Sequence, residues 1–362
     1  MLSKKYEYNS KPSLQLNSIQ LEAKKRVENK ISTQVYSFKS ICCPVCELSD
    51  YELLSQRDRY GLPVNTVICK KCGLLITNPS MAQDSLNKFY ADDYRELYVG
   101  SKIAQQSFFD NQYNSGKKII NFLKKHVNFV IKNKIVLEVG CGAGGILSAF
   151  KDEGAEILGI DLGNDYLEFG IKNYKLNLKN ISLSDYIENA NNNIDDGCVG
   201  VEREGIIIDI VIYSHVLEHI LNLQNELSLI KKICHEKTLI YIEVPGLLSV
   251  HKNYGDFLLY LQNAHLYHFS LGTLLNLFQK HGFSLVYGDE HIHSLFVLNN
   301  QYQTDYKNYY NTNISYLKRL EFTNRFFPIF NKRYLLRCLT KILTKIHLYE
   351  RAKKIYHENF KK

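Results

Sequence analysis

The sequence predicts an α/β fold with a doubly wound sheet, a small four-cysteine module before it and a basic helical tail after it. Three observations carry this expectation. The apolar run Val136-Leu137-Glu138-Val139 leads straight into the turn Gly140-Cys141-Gly142-Ala143-Gly144-Gly145, as a buried strand entering a tight turn does. Strand-like and helix-like segments then alternate to about residue 300, the pattern of helices packed on a mostly parallel sheet. Two Cys-x-x-Cys pairs stand well upstream, at Cys43/Cys46 and Cys69/Cys72.

Residues 1–40 are polar, with helical spacing near Ser18–Lys30. Met1-Leu2-Ser3-Lys4-Lys5 has no apolar stretch behind it, so no secretory leader is expected. No apolar run is long enough to span a bilayer, since Ile206-Ile207-Ile208 ends at Asp209. A cytoplasmic protein is the expectation that follows.

Residues 41–80 form the cysteine module. The x2 spacing lets one tight knuckle present two thiolates, and Gly73 after Cys72 relieves the second turn. Twenty-two residues between the pairs leave room for a hairpin. Four thiolates fill a tetrahedron and leave no place for water, so Cys43, Cys46, Cys69 and Cys72 point to a structural Zn2+ in a zinc ribbon. A cytosolic setting disfavours disulfides as the alternative. Cys42 is a lesser candidate ligand, and Cys141, Cys198, Cys234 and Cys338 are scattered. So small a module is not expected to bury a core without its metal.

A helical linker is expected over 81–115, within a largely helical stretch that runs from Pro79 to about 132. The main domain then spans 116–300. Strands are expected at 135–140 and 155–161, with a helix-to-strand change within Lys172–Leu183. Asn189–Gly205 is polar and reads as a loop or hairpin. The β-branched run Ile206–Tyr213 reads as one buried parallel strand. A helix over Leu217–Cys234, a strand over Thr238–Val244 and a helix over Leu271–His281 come next, before the antiparallel pair Phe283–Tyr287 and Ser294–Asn299. Ligands of such sheets bind at the carboxyl ends of the strands. That rule gathers Gly140–Gly144, Asp161, Ser214, His215 and Pro245 around one crevice.

The glycine turn fits both G-x-G-x-G and G-x-G-x-x-G, so spacing alone does not choose the ligand of this Rossmann-like site. Asp161 ends a second apolar run about 20 residues on and can accept hydrogen bonds from a ribose diol. Glu138, a carboxylate before the turn, suits a cationic ligand better than a phosphate. The set Glu138-Val139-Gly140-Cys141-Gly142-Ala143-Gly144, then Ile160-Asp161-Leu162, then Asp209–His219, resembles the motifs of class I S-adenosylmethionine-dependent methyltransferases over residues 116–300. The resemblance implies that Glu138, Gly140, Gly142 and Gly144 hold the methionyl end of S-adenosyl-L-methionine. Asp161 would hold its ribose, and Ser214 and His215 would flank the methyl group.

Two histidine groups fall at crevice-facing positions. His215-x-x-Glu218-His219 has spacings that share a helical face. The segment resembles a metal motif of some O-methyltransferases, with His215 in place of a carboxylate. His265-Leu266-Tyr267-His268-Phe269-Ser270 is the second group. It is similar to a segment of bacterial sugar C-methyltransferases, which the cysteine module and Cys72-Gly73-Leu74-Leu75-Ile76-Thr77-Asn78-Pro79 also resemble. That likeness implies His265 as the catalytic base, with Tyr267 and His268 as second choices. Ala264 stands where those enzymes carry a glutamate, and 62 residues after Asn300 are too few for their second domain. O-methylation of a sugar or polysaccharide-precursor hydroxyl, on a nucleotide-sugar or other small molecule, is the expected reaction.

Residues 301–362 carry nine lysines and five arginines against four carboxylates, a charge of +10, which leaves the first 300 residues at −2. A basic tail can meet an acidic partner or an anionic membrane surface, and its apolar and basic residues are mixed as in Tyr334–Leu339. Because the sheet closes near Asn299, removal of the tail is expected to leave cofactor binding unchanged. Two rival functions remain. Zinc with a basic tail suggests an RNA methyltransferase, yet Tyr213-Ser214-His215-Val216 replaces the base-binding N/D-P-P-Y, so nucleic acid is a disfavoured partner. A non-catalytic scaffold is the other, opposed by the intact Gly140, Gly142, Gly144 and Asp161.

Overall fold

The computed structural model describes residues 1–100, 105–192, 201–202, 205–206 and 208–345. Most of Asn189–Gly205, with Cys198, and the tail beyond 345 lie outside the described residues.

Seven strands form the main sheet. From one edge to the other they are Phe283–Gly288, His293–Leu298, Leu239–Glu243, Ile210–Ser214, Ile135–Val139, Glu156–Ile160 and Leu178–Lys179. The inner strands pair in parallel and are buried on both faces, which is why they read as unbroken apolar runs. His293–Leu298 is antiparallel to both of its neighbours, as the expected terminal pair requires. Strand order reverses beside Ile135–Val139, so the crevice opens at the carboxyl ends of this strand and of Ile210–Ser214. Helix Gln106–Val127 packs on the helix Gly145–Asp152, where Gly116 admits the close approach: a Cβ there would lie 2.7 Å from the Ile146 carbonyl oxygen.

Two expected elements are divided. The run Ile206–Tyr213 is not one strand. Gly205–Ile206 pairs with Val201–Glu202, and the sheet strand starts only at Ile210. Asp209 makes the break, accepting from Ile135 N at 2.9 Å and pairing with Lys134 at 2.8 Å. Leu217–Cys234 is likewise a short turn, Leu217–His219, and a separate helix, Leu223–Ile233, whose Asn222 side chain accepts from Asn225 N. Asn222 is a cap residue visible in the sequence, and it competes with helix continuation for that N–H.

The cysteine module does not stand apart. Tyr51–Ser55, Thr66–Cys69 and Leu75–Thr77 form an antiparallel sheet, and its fourth strand is Tyr267–His268 from the far end of the main domain. Leu74, Ile76 and Phe89 share one buried cluster with Leu217, Ala264, Leu266, Tyr267 and Phe269. The module therefore shares the core of the main domain and does not bury one of its own. The helix Ser18–Ser32, closed by an Asn17–Gln20 capping box, joins the same assembly through Ala23 and Val27.

The start of the tail is also structural. Helix Tyr310–Phe326 buries Asn313, Ile314, Leu317 and Leu320. Tyr309 N donates to Cys72 O at 3.1 Å, and Asn313 donates to Gly73 O at 2.9 Å. Gly73 sits at φ 85°, where a Cβ would lie 2.5 Å from the Tyr309 backbone. Sheet closure at Asn299 therefore does not mark the end of the packed core. Among the described residues no helix is long and apolar enough to cross a membrane.

Candidate active site

The floor of the crevice is the glycine turn. Gly140 has φ 71°, and a Cβ on it would lie 2.4 Å from Val216 Cγ2. Only glycine lets the Ile210–Ser214 strand end and this turn lie so close. Asp161 is bound from both sides by backbone, accepting from Gly142 N at 2.8 Å and Gly163 N at 2.6 Å. A carboxylate has about four lone-pair sites, so two remain for a diol at the rim. Glu138 lies buried beneath the turn, with Oε2 lacking a partner. Burial first, then the nearby Asp161, pushes its carboxyl well above the usual range. An orphaned acceptor, an open glycine backbone and a rim carboxylate fit an S-adenosylmethionine-type ligand.

Sequence reasoning missed two braces here. Gln112 donates to Cys141 O at 3.0 Å and accepts from Gly145 N at 3.3 Å, pinning the turn to helix Gln106–Val127. Arg95 stacks 3.8 Å over the Tyr166 ring centroid and closes over Gly163. Neither belongs to a short motif, and both reach the site across long sequence separations.

Ser214 and His215 lie at the adjoining strand end. Ser214 donates to Glu243 at 3.2 Å. His215 adopts φ 58°, strained for a non-glycine residue, and its two ring nitrogens lie 3.6 Å from Glu218 and 3.6 Å from Glu243. Against desolvation, those two carboxylates raise its pKa to about 10.

A second polar cluster adjoins His215. The expected helical face for His215, Glu218 and His219 is absent, because the segment is a 3-10 turn, yet the fold still converges their side chains. Glu218 Oε1 lies 3.6 Å from His215 Nδ1, 3.8 Å from His219 Nε2 and 3.8 Å from His265 Nε2. Both Glu218 oxygens are buried without a hydrogen-bond partner, as are His265 Nδ1 and both ring nitrogens of His268. Burial drives His265 well below the usual imidazole range and His268 down to about 3. A His265 ionisation between pH 6 and 8, which an exposed imidazole would give, is therefore not expected. Tyr267 does not join the group: its hydroxyl donates to Leu221 O at 2.8 Å, and strand alternation sends it to the face opposite His268.

The walls come from the N-terminal region. Thr77 donates to His265 O at 2.7 Å, and Asp58 accepts from Asn263 N at 3.0 Å. Arg59 donates to Gln262, whose amide nitrogen abuts His265 Nε2. Tyr90 contacts His219 Nδ1 at 2.9 Å, and Tyr98 accepts from Ala264 N at 3.1 Å.

The four cysteines converge as expected, with Cys43 Sγ 3.4 Å from Cys72 Sγ and Cys46 Sγ 3.4 Å from Cys69 Sγ. All four ligand atoms lie within 4.8 Å of one another. Tetrahedral zinc–thiolate bonds of about 2.3 Å place sulfurs about 3.8 Å apart, so the cluster fits one such ion.

A seven-stranded sheet with this switch-point crevice defines the class of nucleoside-binding α/β enzymes. Residues 113–287 match the family model described as "Methyltransferase domain", and the chain carries an S-adenosylmethionine-dependent methyltransferase domain of class I with a four-cysteine cluster near its N-terminus. Among solved structures it is similar to an S-adenosylmethionine-dependent methyltransferase from Archaeoglobus fulgidus, at 22% identity over 50% of this chain and 75% of that one, TM-score 0.37. A putative methyltransferase of the same cofactor class from Listeria monocytogenes matches at 16% identity over 51% of this chain and 97% of that one, TM-score 0.35. The plantazolicin methyltransferase BpumL, in complex with SAH, matches at 15% identity over 57% of this chain and 79% of that one, TM-score 0.39. No curated protein matches.

Proposed function

We propose that this cytoplasmic enzyme O-methylates a hydroxyl of a sugar or polysaccharide precursor, with Glu218, His219, His265 and His268 on the acceptor side. The observation that supports it is that both Glu218 oxygens, His265 Nδ1 and both His268 ring nitrogens are buried without partners, close to Val216 and the glycine turn. Leaving each such group unsatisfied costs about 1–3 kcal/mol, a cost repaid when a polar acceptor binds there. S-adenosylmethionine supplies an electrophilic methyl group on its sulfonium. Glu138 and Gly140–Gly144 would hold the methionyl end, Asp161 the ribose diol, and Ser214 with His215 the approach to the methyl group. The group around His265 then orients the acceptor hydroxyl and favours loss of its proton. The sugar class rests on the likeness of the His265–Ser270 segment and the cysteine module to sugar methyltransferases. Cys43, Cys46, Cys69 and Cys72 would hold a structural Zn2+ that fixes the sheet completed by Tyr267–His268.

Incubating the enzyme with S-adenosylmethionine bearing a labelled methyl group and a panel of nucleotide-sugars, RNA and small phenols tests this reading. Label should appear on a sugar oxygen. Transfer to RNA alone would replace the reading with its rival, and the absence of cofactor binding by calorimetry would favour a scaffold.

The outer face of the tail suits an anionic membrane surface. Phe326, Ile329 and Phe330 are exposed beside Arg319, Lys332 and Arg333.

A further inference from the structure

We propose that Glu218, His219 and His265 bind a divalent transition-metal ion of the zinc type, with one coordination position open to the acceptor hydroxyl. It deepens the O-methylation reading and rests on it for its role, though not for its existence.

The argument starts from where the protons are. His219 Nδ1 lies 2.9 Å from both the Ala264 carbonyl oxygen and the Tyr90 hydroxyl; the carbonyl can only accept, so a proton on Nδ1 satisfies it, with the Tyr90 oxygen as a second neighbour. In the neutral ring Nε2 then carries a lone pair, and it faces Glu218 Oε1 at 3.8 Å. His265 is oriented in the same sense. Arg59 donates to the Gln262 oxygen, so the Gln262 amide nitrogen faces His265 Nε2 and that nitrogen is an acceptor. It too faces Glu218 Oε1, at 3.8 Å.

The His219 Nε2 lone pair and the Glu218 carboxylate therefore face each other with no hydrogen-bonding proton between them, and the His265 Nε2 lone pair, which accepts from the Gln262 amide, joins them once that amide turns away. Glu218 has no lysine or arginine within ion-pair distance among the described residues; its nearest ionisable neighbours are the imidazoles of His215, His219 and His265. It is 1% exposed. Its ion pair with the partly exposed His215 at 3.6 Å leaves both carboxylate oxygens without a hydrogen bond, and a directly bound cation supplies the missing compensation.

The geometry suits a small cation. The three donor atoms lie within 4.8 Å of one another. Bonds of about 2.0–2.1 Å in a tetrahedron need donors roughly 3.3–3.5 Å apart, so each 3.8 Å separation from Glu218 must contract by a few tenths of an ångström, with the two imidazoles drawn together and the Gln262 amide moving aside. The His219–Ala264 carbonyl bond is the outer-shell contact that fixes a metal-ligating imidazole. Two imidazoles and one carboxylate favour zinc, cobalt or nickel over magnesium or calcium. Three protein ligands leave a fourth position, as in catalytic rather than structural sites.

Val216, which overlies Gly140, is two residues from Glu218, which sets the site close to the glycine turn. A hydroxyl bound there loses its proton to solvent near neutral pH. The resulting oxygen attacks the sulfonium methyl carbon. The carbon–sulfur bond breaks with its electron pair going to sulfur, leaving a neutral thioether.

Cobalt(II) titration of the intact, metal-depleted chain is the test. We expect two equivalents: one with the intense thiolate-to-cobalt band of the four-cysteine site, one with only weak ligand-field bands. Glu218→Gln and His219→Ala should each remove the second equivalent and keep the first. The thiolate band then reports that each variant has folded, and His265→Ala gives a third, independent loss. A single equivalent in folded wild-type protein overturns the proposal, as does retention of both equivalents in all three variants. Methylation of a sugar hydroxyl at full rate with the second position empty would also overturn it while leaving the reaction assignment standing. Two equivalents without hydroxyl methylation would do the reverse.

Discussion

The two sides of the crevice are built in opposite ways. The cofactor side is nearly one stretch of chain: Glu138, Gly140–Gly144 and Asp161 lie within two successive strand-to-helix units. The acceptor side is gathered from Asp58–Thr77, Tyr90–Tyr98, Glu218–His219, Gln262–His268 and, behind the cysteine knuckle, Tyr309–Asn313. A local motif needs only backbone geometry to form, so the cofactor side can survive much change elsewhere. The acceptor side forms only when distant segments dock, and it should be the part that responds to perturbation far from the chemistry.

Truncation before Tyr309 is expected to have the largest effect. It removes the buried Ile314, Leu317 and Leu320. At roughly 1.5–3 kcal/mol each, their loss is about 5–9 kcal/mol, comparable with the whole stability of a typical domain. The truncated chain should lose its cysteine-bound metal and melt at much lower temperature, measured by elemental analysis and circular dichroism. Normal metal content and an unchanged melt would show that the tail only decorates the acceptor side.

A crossed pair of substitutions sharpens the comparison. Asp161→Ala should weaken S-adenosylmethionine binding by about 1.5–3 kcal/mol, roughly 10- to 150-fold, with little change in turnover at saturation. His265→Gln should do the opposite: turnover lower by about 100-fold, with cofactor affinity unchanged. Calorimetry and single-turnover rates separate the two. If either variant affects both quantities equally, the two sides are not independent.

Much of this arrangement was legible in the chain. The doubly wound sheet follows from strand–helix alternation and the glycine turn, and the cysteine cluster from its x2 spacing. What could not be read was which distant backbone would pair with which. Nothing in Leu75–Thr77 or Tyr267–His268 announces that they share a sheet, since a two-residue strand has no periodicity of its own. His215-x-x-Glu218-His219 drew notice for a helical spacing it does not use; its side chains meet through a 3-10 turn. Tyr267 was taken with its neighbours by proximity in sequence, whereas alternation along the strand separates it from His268.

Acid should loosen the acceptor side first. Asp93 is buried, a cost outweighed by Lys30 at 2.8 Å, the Tyr36 hydroxyl at 2.6 Å and Arg26 at 3.1 Å, which hold its pKa below the ordinary value. A carboxylate with a depressed folded pKa contributes stability above its unfolded pKa of about 3.9 and loses it as pH falls through the folded value. This network ties helix Ser18–Ser32 to the segment carrying Tyr90, Tyr94 and Tyr98. Asp93→Asn should cost about 1–3 kcal/mol at neutral pH, given the partly exposed partners, and flatten the stability profile below about pH 4. Melting curves between pH 2 and 7 check the sign. An unchanged slope would mean that other carboxylates control acid unfolding.

The smallest effect on catalysis is expected at the outer face of the tail. Its inner face packs, but Phe326 is 56% exposed, Ile329 70% and Phe330 80%. Lys252, Arg319, Lys332 and Arg333 line the adjoining groove. Apolar side chains can enter the headgroup boundary while the cations meet anionic lipid, and each cation adds about 1 kcal/mol near such a surface. Vesicles containing phosphatidylserine should therefore sediment the enzyme at low salt and release it at high salt, where screening shortens the reach of the charges. Ile329→Ser with Phe330→Ser should reduce binding by about tenfold or more, from the loss of buried apolar area, and leave turnover on a soluble acceptor unchanged. Binding that persists in this variant and responds only to salt would show a purely electrostatic surface, suited to an acidic protein as well as a bilayer. A fall in turnover with soluble substrate would show that even this exposed face supports the acceptor side.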